Sequence, residues 1–435
     1  MAEGRGRLSP AVLGERPGGR SPGVPYSPLY ADLYHSEAGA WAQAEEVFIV
    51  GSGLPGRWRG RSRFVILETG FGLGNNFLAT WAAWRNDPER CDRLVFISIE
   101  KHPLTRDDLA RVHDTVASAG EGPAEPARAL AARLIQAWPP LTPGLHTLDF
   151  EEPALPGNAA SAGVSLLLGL GDVKDVLPQL VAAVDAFYLD GFSPDRNPDM
   201  WDAHWLSRLG RWAAPDATAA TWSVARPLRD ALAQAGFEVT RAPGFGSKRD
   251  RITASYRPRF TPPALAGGLW PEPERARRSA VVIGAGLAGC AAAWALSREG
   301  WRVTVLDQHT GPAQEASGNP GGLFHGIVHG EDGIHARAHR AAALHTAALV
   351  GPWMGDGRLT GHCQGLLRLD AQLTDDQALT LIERLGLPPD YLQWCPQERA
   401  RRISGLPVSS GGWLFTRGGW LDPAHYTRCL LQEAQ

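Results

Sequence analysis

Short apolar runs alternate with amphipathic stretches along residues 26–258. FVILE (64–68), LVFISIE (94–100), VSLLLG (164–169), DAFYLDGF (185–192) and ATAATWS (217–223) are rich in apolar and β-branched residues, the pattern of strands buried on both faces. NFLATWAAW (76–84), TRDDLARVHDTVAS (105–118) and PLRDALAQAG (227–236) lie between them with helical periodicity. This rhythm predicts an α/β domain of Rossmann-like type, with a parallel sheet covered on both faces. Residues 257–275, RPRFTPPALAGGLWPEPER, break the pattern and read as a linker, assigned to 259–278. A second α/β pattern then starts, AVVIGAGLAGCAAAWALSREGWRVTVLD (280–307). Residues 1–25, rich in Gly, Pro and Arg, read as a disordered tail. The division expected is therefore a tail (1–25), a first domain (26–258), a linker (259–278) and a second nucleotide-binding domain (279–435).

Composition narrows the function classes. The formal net charge of -3 gives no global basic signal, so any nucleic-acid contact must come from a local patch. The five cysteines are scattered without CxxC or Cys/His spacing, which predicts no metal site and suits a reducing cytoplasm. The N-terminus lacks the apolar core of a signal peptide, and no run of 18 apolar residues is present, so no membrane span is expected.

Two glycine turns carry the candidate chemistry. In ETGFGLG (68–74) a strand ends at Glu68, then Gly70, Gly72 and Gly74 alternate before a helix. Glycines allow positive φ and close approach of a ligand, and the helix start offers free N–H groups. The spelling is neither GxGxxG nor a phosphate loop, and fits S-adenosylmethionine (SAM). Glu100, at the end of the next strand, is placed to accept both ribose hydroxyls. Asp172, after the third strand, is a candidate for the adenine amino group; the weaker alternative for all three features is an ordinary turn with solvent-facing acids. Asp190, at the end of the fourth strand, is the candidate for handling an acceptor, although it also reads as a strand-end cap. An aliphatic ammonium has a pKa near 10 and no free lone pair, so a carboxylate beside it can help it shed a proton.

The second turn is Gly284, Gly286 and Gly289, followed by a small-residue helix and a strand ending in Asp307. This is a complete dinucleotide βαβ unit, with pyrophosphate expected at the helix start and Asp307 on ribose hydroxyls. EASGNPGGLFHG (315–326) resembles the flavin-contacting loop of amino-acid-oxidase-type flavoproteins, which favours FAD and adds Ser317 and Asn319 as contacts. His325, His329, His335 and His339 have roughly helical spacing, but Gly and acidic residues interrupt them, and they read as solvated histidines.

LETGFGLGNNFLATW, FISIEKHPLTRDDLA, FYLDGFSPDRNPDMW, GFEVTRAPGFGSKR, VVIGAGLAG, EASGNPGG and GGWLDPAHYTRCLL together resemble the MnmC family of bifunctional tRNA wobble-uridine enzymes. The resemblance implies a SAM-dependent methyltransferase followed by an FAD-dependent oxidoreductase. The oxidase half would remove the carboxymethyl group from 5-carboxymethylaminomethyl-2-thiouridine at tRNA position 34. The other half would then methylate the exposed amine, giving 5-methylaminomethyl-2-thiouridine. The basic stretch SKRDRITASYRPRF (247–260) with RARR (275–278) favours a tRNA partner through Lys248 and Arg249 over a small-molecule acceptor. A third reading makes 279–435 a binding module without catalysis. The family's oxidase half extends well past the position matching Gln435, so the expectation is a competent methyltransferase joined to a partial, poorly active flavin domain.

Overall fold

The computed structural model describes residues 7–16, 24–118, 125–155, 162–259 and 278–434. The sheet of the first half has eight strands: β1 (Arg63–Thr69), β2 (Arg93–Glu100), β3 (Gly144–Glu152), β4 (Ala162–Leu170), β5 (Val184–Leu189), β6 (Ala213–Thr221), β7 (Phe237–Pro243) and β8 (Asp250–Tyr256). Their spatial order is β3-β4-β2-β1-β5-β6-β8-β7. The five central strands are parallel, whereas β3, β8 and β7 pair antiparallel with their neighbours. The expected all-parallel sheet is therefore mixed. The strands missed in the sequence, β3, β7 and β8, are the antiparallel ones flanking the parallel centre; in the edge strand β3, GLHTLDFEE alternates in burial along most of its length.

The central strands bury both faces. Phe64, Ile66, Phe96 and Tyr188 join one apolar cluster, while Leu67, Ile97, Phe187 and Leu189 join the other. Helix α1 (Asn75–Asn86) seats Phe77, Trp81 and Trp84 in the first cluster. The buried Glu152 of β3 binds the edge of the sheet to this layer. It accepts from Trp81 Nε1 at 3.1 Å, pairs with Arg85 at 3.1 Å and also pairs with Arg133.

Order reverses between β1 and β5, because the chain moves outward from β1 through β2 and outward again on the other side through β5. Such a switch point opens a crevice at the carboxyl ends of the strands. Part of the segment expected as a loose tail lies there. Leu8 is buried, the Ala11 N–H donates to Pro103 O at 3.1 Å, and Gly14 bridges to Tyr26. Apolar Leu8, Ala11 and Leu13 meet the first cluster, which outweighs the composition of the stretch. Residues 1–6 and 17–23 of the tail, and 260–277 of the linker, lie outside the described residues.

In the second half, β9 (Ser279–Ile283) and β10 (Arg302–Leu306) pair in parallel, joined by helix α2 (Leu287–Arg298). Helix α3 (Pro423–Glu433) packs on α2, with Cys290, Val350, Trp353 and Leu430 in their common core. The outer face of the two strands carries Val281, Ile283 and Leu306, exposed at 63%, 88% and 52%. The halves meet where Arg278 donates to Ser62 Oγ at 2.8 Å and where Arg93 faces Glu299 at 3.5 Å. No helix among the described residues is long and apolar enough to cross a membrane.

Candidate functional site

The first glycine turn sits at the end of β1. Gly70, Gly72 and Gly74 have φ of +79°, +54° and +75°, where side chains are strained. A Cβ on Gly70 would come within 3.3 Å of Asp190 O, and one on Gly74 within 2.9 Å of the Phe71 ring. The turn thus needs glycine for its own packing as well as for access. Its Gly72 N–H donates to Glu100 Oε2 at 2.8 Å, and the His102 N–H donates to Glu100 Oε1 at 2.7 Å. Two backbone donors therefore hold the Glu100 carboxylate.

A cavity of about 350 Å³ opens beside the turn, within the size range of small-ligand sites. Gly70, Gly72, Glu100, Asp172 and Asp190 all line it. Asp172 caps the short helix Val173–Val176 and pairs with Lys101 at 3.0 Å. Burial opposes its charge, but the Lys101 ammonium and the Lys174 N–H outweigh that and hold its carboxyl below the usual range. Asp190 accepts from the Gly191 N–H at 2.9 Å and Trp222 Nε1 at 3.0 Å on Oδ1, and from Asn76 Nδ2 at 2.8 Å on Oδ2. Burial pushes its carboxyl above the usual range despite these donors.

Glu68 and Gly74 do not line the cavity. Glu68 is fully buried behind it, accepting from Ser98 Oγ at 2.6 Å and from Asn76 Nδ2 at 2.9 Å. Burial drives its carboxyl well above the usual range, with the neighbouring Asp190 adding to the effect. Its place is in the support of the site, linked to Asp190 through Asn76.

The sequence reading missed one wall. Tyr30 stacks on Phe192 with ring centroids 4.7 Å apart, and Tyr34 meets Phe192 edge-on at 5.0 Å. All three line the cavity with Ser9, Ala11 and His102. The run YSPLYADLY (26–34) was the available signal: three closely spaced tyrosines just after the Gly, Pro and Arg-rich start of the chain. Tyr30 is raised to about 12 by burial, with Glu100, Asp172 and Asp199 adding to it. The aromatic wall thus faces an acidic floor, which suits a cationic ligand.

Lys248 and Arg249 are exposed in the turn between β7 and β8. The rest of the basic stretch is largely committed elsewhere. Arg251 is buried against Glu46, Arg257 pairs with Asp216 at 3.1 Å, and Arg278 is buried with Nη1 on Glu299 O at 3.0 Å. Within RARR, only Arg278 lies among the described residues.

The second turn is built for close backbone packing. Gly284 has φ of +98°, and a Cβ on Gly289 would fall 1.9 Å from Gly284 O. Gly286 is the N-cap of α2, whose first N–H, on Leu287, donates to Ser317 Oγ at 2.9 Å. Asp307 accepts from the Ala285 N–H at 2.6 Å and the His309 N–H at 2.8 Å, and these bonds hold its carboxyl below the usual range. Asn319 is exposed after the turn Ala316–Gly318. The glycine cradle, the helix start and the exposed Asp307 fit the adenosine diphosphate end of a dinucleotide. Among the histidines, His335 and His339 meet edge-on with centroids 4.5 Å apart, and no group of three or more His, Cys, Asp or Glu among the described residues could hold a metal.

Residues 125–257 match a family described as S-adenosyl-L-methionine-dependent methyltransferase, and residues 279–435 match a family described as FAD dependent oxidoreductase. Over 95% of its length the chain is 53% identical to the tRNA 5-methylaminomethyl-2-thiouridine biosynthesis bifunctional protein MnmC of Methylibium petroleiphilum. The chain belongs to the MnmC family. The MnmC of Cupriavidus metallidurans is 46% identical, again over 95% of this chain. The chain spans 60% and 59% of these two MnmC proteins. The matched methyltransferase stretch holds Asp172, Asp190 and Lys248, whereas the first glycine turn and Glu100 precede it. Strand pairing brings the two parts together, since β1 hydrogen-bonds to β5 and β2 to β4.

Proposed function

We propose that residues 26–258 form a SAM-dependent methyltransferase that converts 5-aminomethyl-2-thiouridine at tRNA position 34 to its 5-methylaminomethyl form. Residues 279–435 then form part of an FAD-dependent oxidoreductase domain that removes the carboxymethyl group of the preceding nucleotide, with 259–278 as linker. The work is cytoplasmic, on tRNA. The observation that carries the reading is the meeting of Glu100, Asp172 and Asp190 on one cavity beside the first glycine turn.

SAM supplies the methyl group as an electrophile. Glu100, pinned by two backbone N–H groups, would accept from the ribose hydroxyls with its free lone pairs, and Asp172 would accept from the adenine amino group. Asp190 would accept an N–H of the acceptor ammonium and take its proton, freeing the nitrogen lone pair for the methyl group as the sulfur of SAM keeps the electron pair of the broken S–C bond. Burial raises the carboxyl of Asp190, bringing its basicity closer to that of the amine. The aromatic wall of Tyr30, Tyr34 and Phe192 excludes water from the exchange.

Gly284, Gly286, Gly289 and the start of α2 would hold the FAD pyrophosphate, and Asp307 the ribose, with Ser317 and Asn319 close to the same turn. FAD supplies oxidising power when bound. Lys248 and Arg249 stand exposed on the turn that follows β7, available to tRNA phosphates.

The test is incubation with SAM and tRNA bearing the free aminomethyl group, followed by nucleoside mass spectrometry. Gain of one methyl group on that nucleoside is expected. No gain, together with methylation of a free small-molecule amine, would give the site to a small-molecule acceptor.

A further inference from the structure

We propose that Trp222 is a positioning residue for Asp190, and that Lys248, seated on its indole, ties this hydrogen bond to the turn between β7 and β8. The inference rests on the reading of Asp190 as the group that meets the acceptor amine.

Trp222 follows the last residue of β6 and packs half-buried against both apolar clusters. Its ring meets Trp201 edge-on at 5.9 Å, which fixes the plane of the indole. The nearby Trp201, Trp205 and Trp212 spend their N–H groups on the backbone carbonyls of Phe192, Asp199 and Leu180. Trp222 instead donates to Asp190 Oδ1 at 3.0 Å. The other two donors to this carboxylate are built into elements that frame the cavity: Gly191 is its chain neighbour, and Asn76 lies on α1. Trp222 brings a third direction of restraint from β6, so the carboxylate plane is fixed by groups on three separate segments.

Lys248 reaches the same indole from outside, with Nζ 5.0 Å from the ring centroid. The turn that carries it is closed by the Gly244 N–H on Arg249 O at 2.9 Å and the Lys248 N–H on Phe245 O at 3.1 Å. Phe245 in turn packs against the first apolar cluster. A cation over an indole face is attracted to the ring and draws electron density from it, which strengthens the N–H on the rim as a donor. Lys248 is exposed, so a phosphate can meet it without dismantling the contact. A polyanion held by this turn therefore acts on the ammonium that sits over the donor to Asp190. The charged groups facing Asp190 are Glu68 of β1, across Asn76, and Lys248, across the indole.

The test replaces Trp222 with Phe, which keeps an aromatic ring but removes the N–H donor and part of the surface under Lys248. Methyl transfer to aminomethyl tRNA, SAM affinity by calorimetry and the rate–pH profile are measured with wild type alongside. Trp222→Phe is expected to lose about tenfold in kcat with SAM affinity within about twofold, since a donor to a reacting carboxylate serves the chemical step. Loss of a donor to the ionised carboxylate also moves the acid limb of the profile to higher pH. Lys248→Met should lower kcat in the same direction, and Lys248→Arg should restore it. Wild-type kcat and an unmoved acid limb in Trp222→Phe would overturn the proposal. A Lys248→Met variant that changes only the KM for tRNA would remove Lys248 from it.

A readout without turnover keeps the two readings apart. In the full chain, ¹³C NMR follows the Asp190 carboxyl through a pH titration with and without the Trp222 donor. A higher midpoint in Trp222→Phe supports the hydrogen bond even if wild type fails to methylate tRNA, which would count against the function alone. Equal midpoints overturn the positioning role.

Discussion

The Gly72 N–H donates to Glu100 Oε2 at 2.8 Å, so the first glycine turn and the acid ending β2 are one structural unit. Disturbing either should disturb both. Gly72→Val forces a branched side chain into φ of +54°, costing about 1–3 kcal/mol, and displaces the N–H that holds Glu100. We expect both Gly72→Val and Glu100→Ala to lose SAM affinity by calorimetry, while protease resistance of the fragment after 278 is unchanged. Retained SAM affinity in both would place the ligand elsewhere.

Glu68 offers a pH test with a definite sign. Its folded-state carboxyl lies well above the usual range because it is buried, so it keeps its proton where the unfolded chain has lost it. The stability this gives is fully present at acid pH and falls as pH rises through the folded-state value. Glu68→Gln removes the ionisation but can still accept from Asn76 and donate to Ser98 Oγ. The variant should match wild type in denaturant unfolding at acid pH and exceed it increasingly toward alkaline pH. A constant difference across pH would show that Glu68 does not titrate between the two states.

Glu152 should be a point of weakness in the first half. Its side chain is fully buried and faces Arg85, Arg133 and the Trp81 indole N–H. Glu152→Ala leaves the buried Trp81 N–H without its acceptor and two partly exposed cations without their shared partner, at a cost of about 1–3 kcal/mol. Denaturation monitored by tryptophan fluorescence should show the loss, and a change under 1 kcal/mol would mean that solvent reaches these arginines easily.

In the second half, Gly289→Ala places a methyl group 1.9 Å from Gly284 O, so the turn must open. The expected result is loss of bound flavin absorbance, with SAM affinity of the first half intact. Asp307→Ala should also lower flavin occupancy, since it removes the acceptor of the Ala285 N–H in the turn as well as the candidate ribose contact.

Lys248 and Arg249 should each account for about one phosphate contact. Double alanine replacement is expected to weaken tRNA binding and to reduce the slope of log affinity against log salt by about 2. An unchanged slope would show that phosphates do not meet this turn.

Much of this architecture was legible because both faces of β1, β2, β4 and β5 are buried, and such strands appear as unbroken apolar runs. Glu100, Asp172 and Asp190 were legible for a related reason: each lies at or just beyond a strand end, where a parallel sheet opens. The edges were harder. In β3 and β7, polar residues interrupt the apolar pattern, so neither shows as an apolar run, although each pairs with the strand next in sequence. The aromatic wall was also hidden, since Tyr30 and Tyr34 reach Phe192 across more than half of the first domain's sequence. Glu68 belongs to the spelling of the turn, but its side chain is buried against Ser98 and Asn76, which the spelling alone does not show. The order of residues 8–14 was obscured by a composition typical of loose chain.

The bonds at Asp190 also limit what the carboxylate can grip. A carboxylate has about four lone-pair directions. Both on Oδ1 are taken, by the Gly191 and Trp222 N–H groups, and one on Oδ2 is taken by Asn76. A single valence remains, so Asp190 is a monodentate handle. An amine held by one N–H pivots about that contact, and its final direction must be set by apolar walls rather than by a second hydrogen bond. If Asp190 meets the acceptor as proposed, selectivity passes from charge to shape at this point of the cavity.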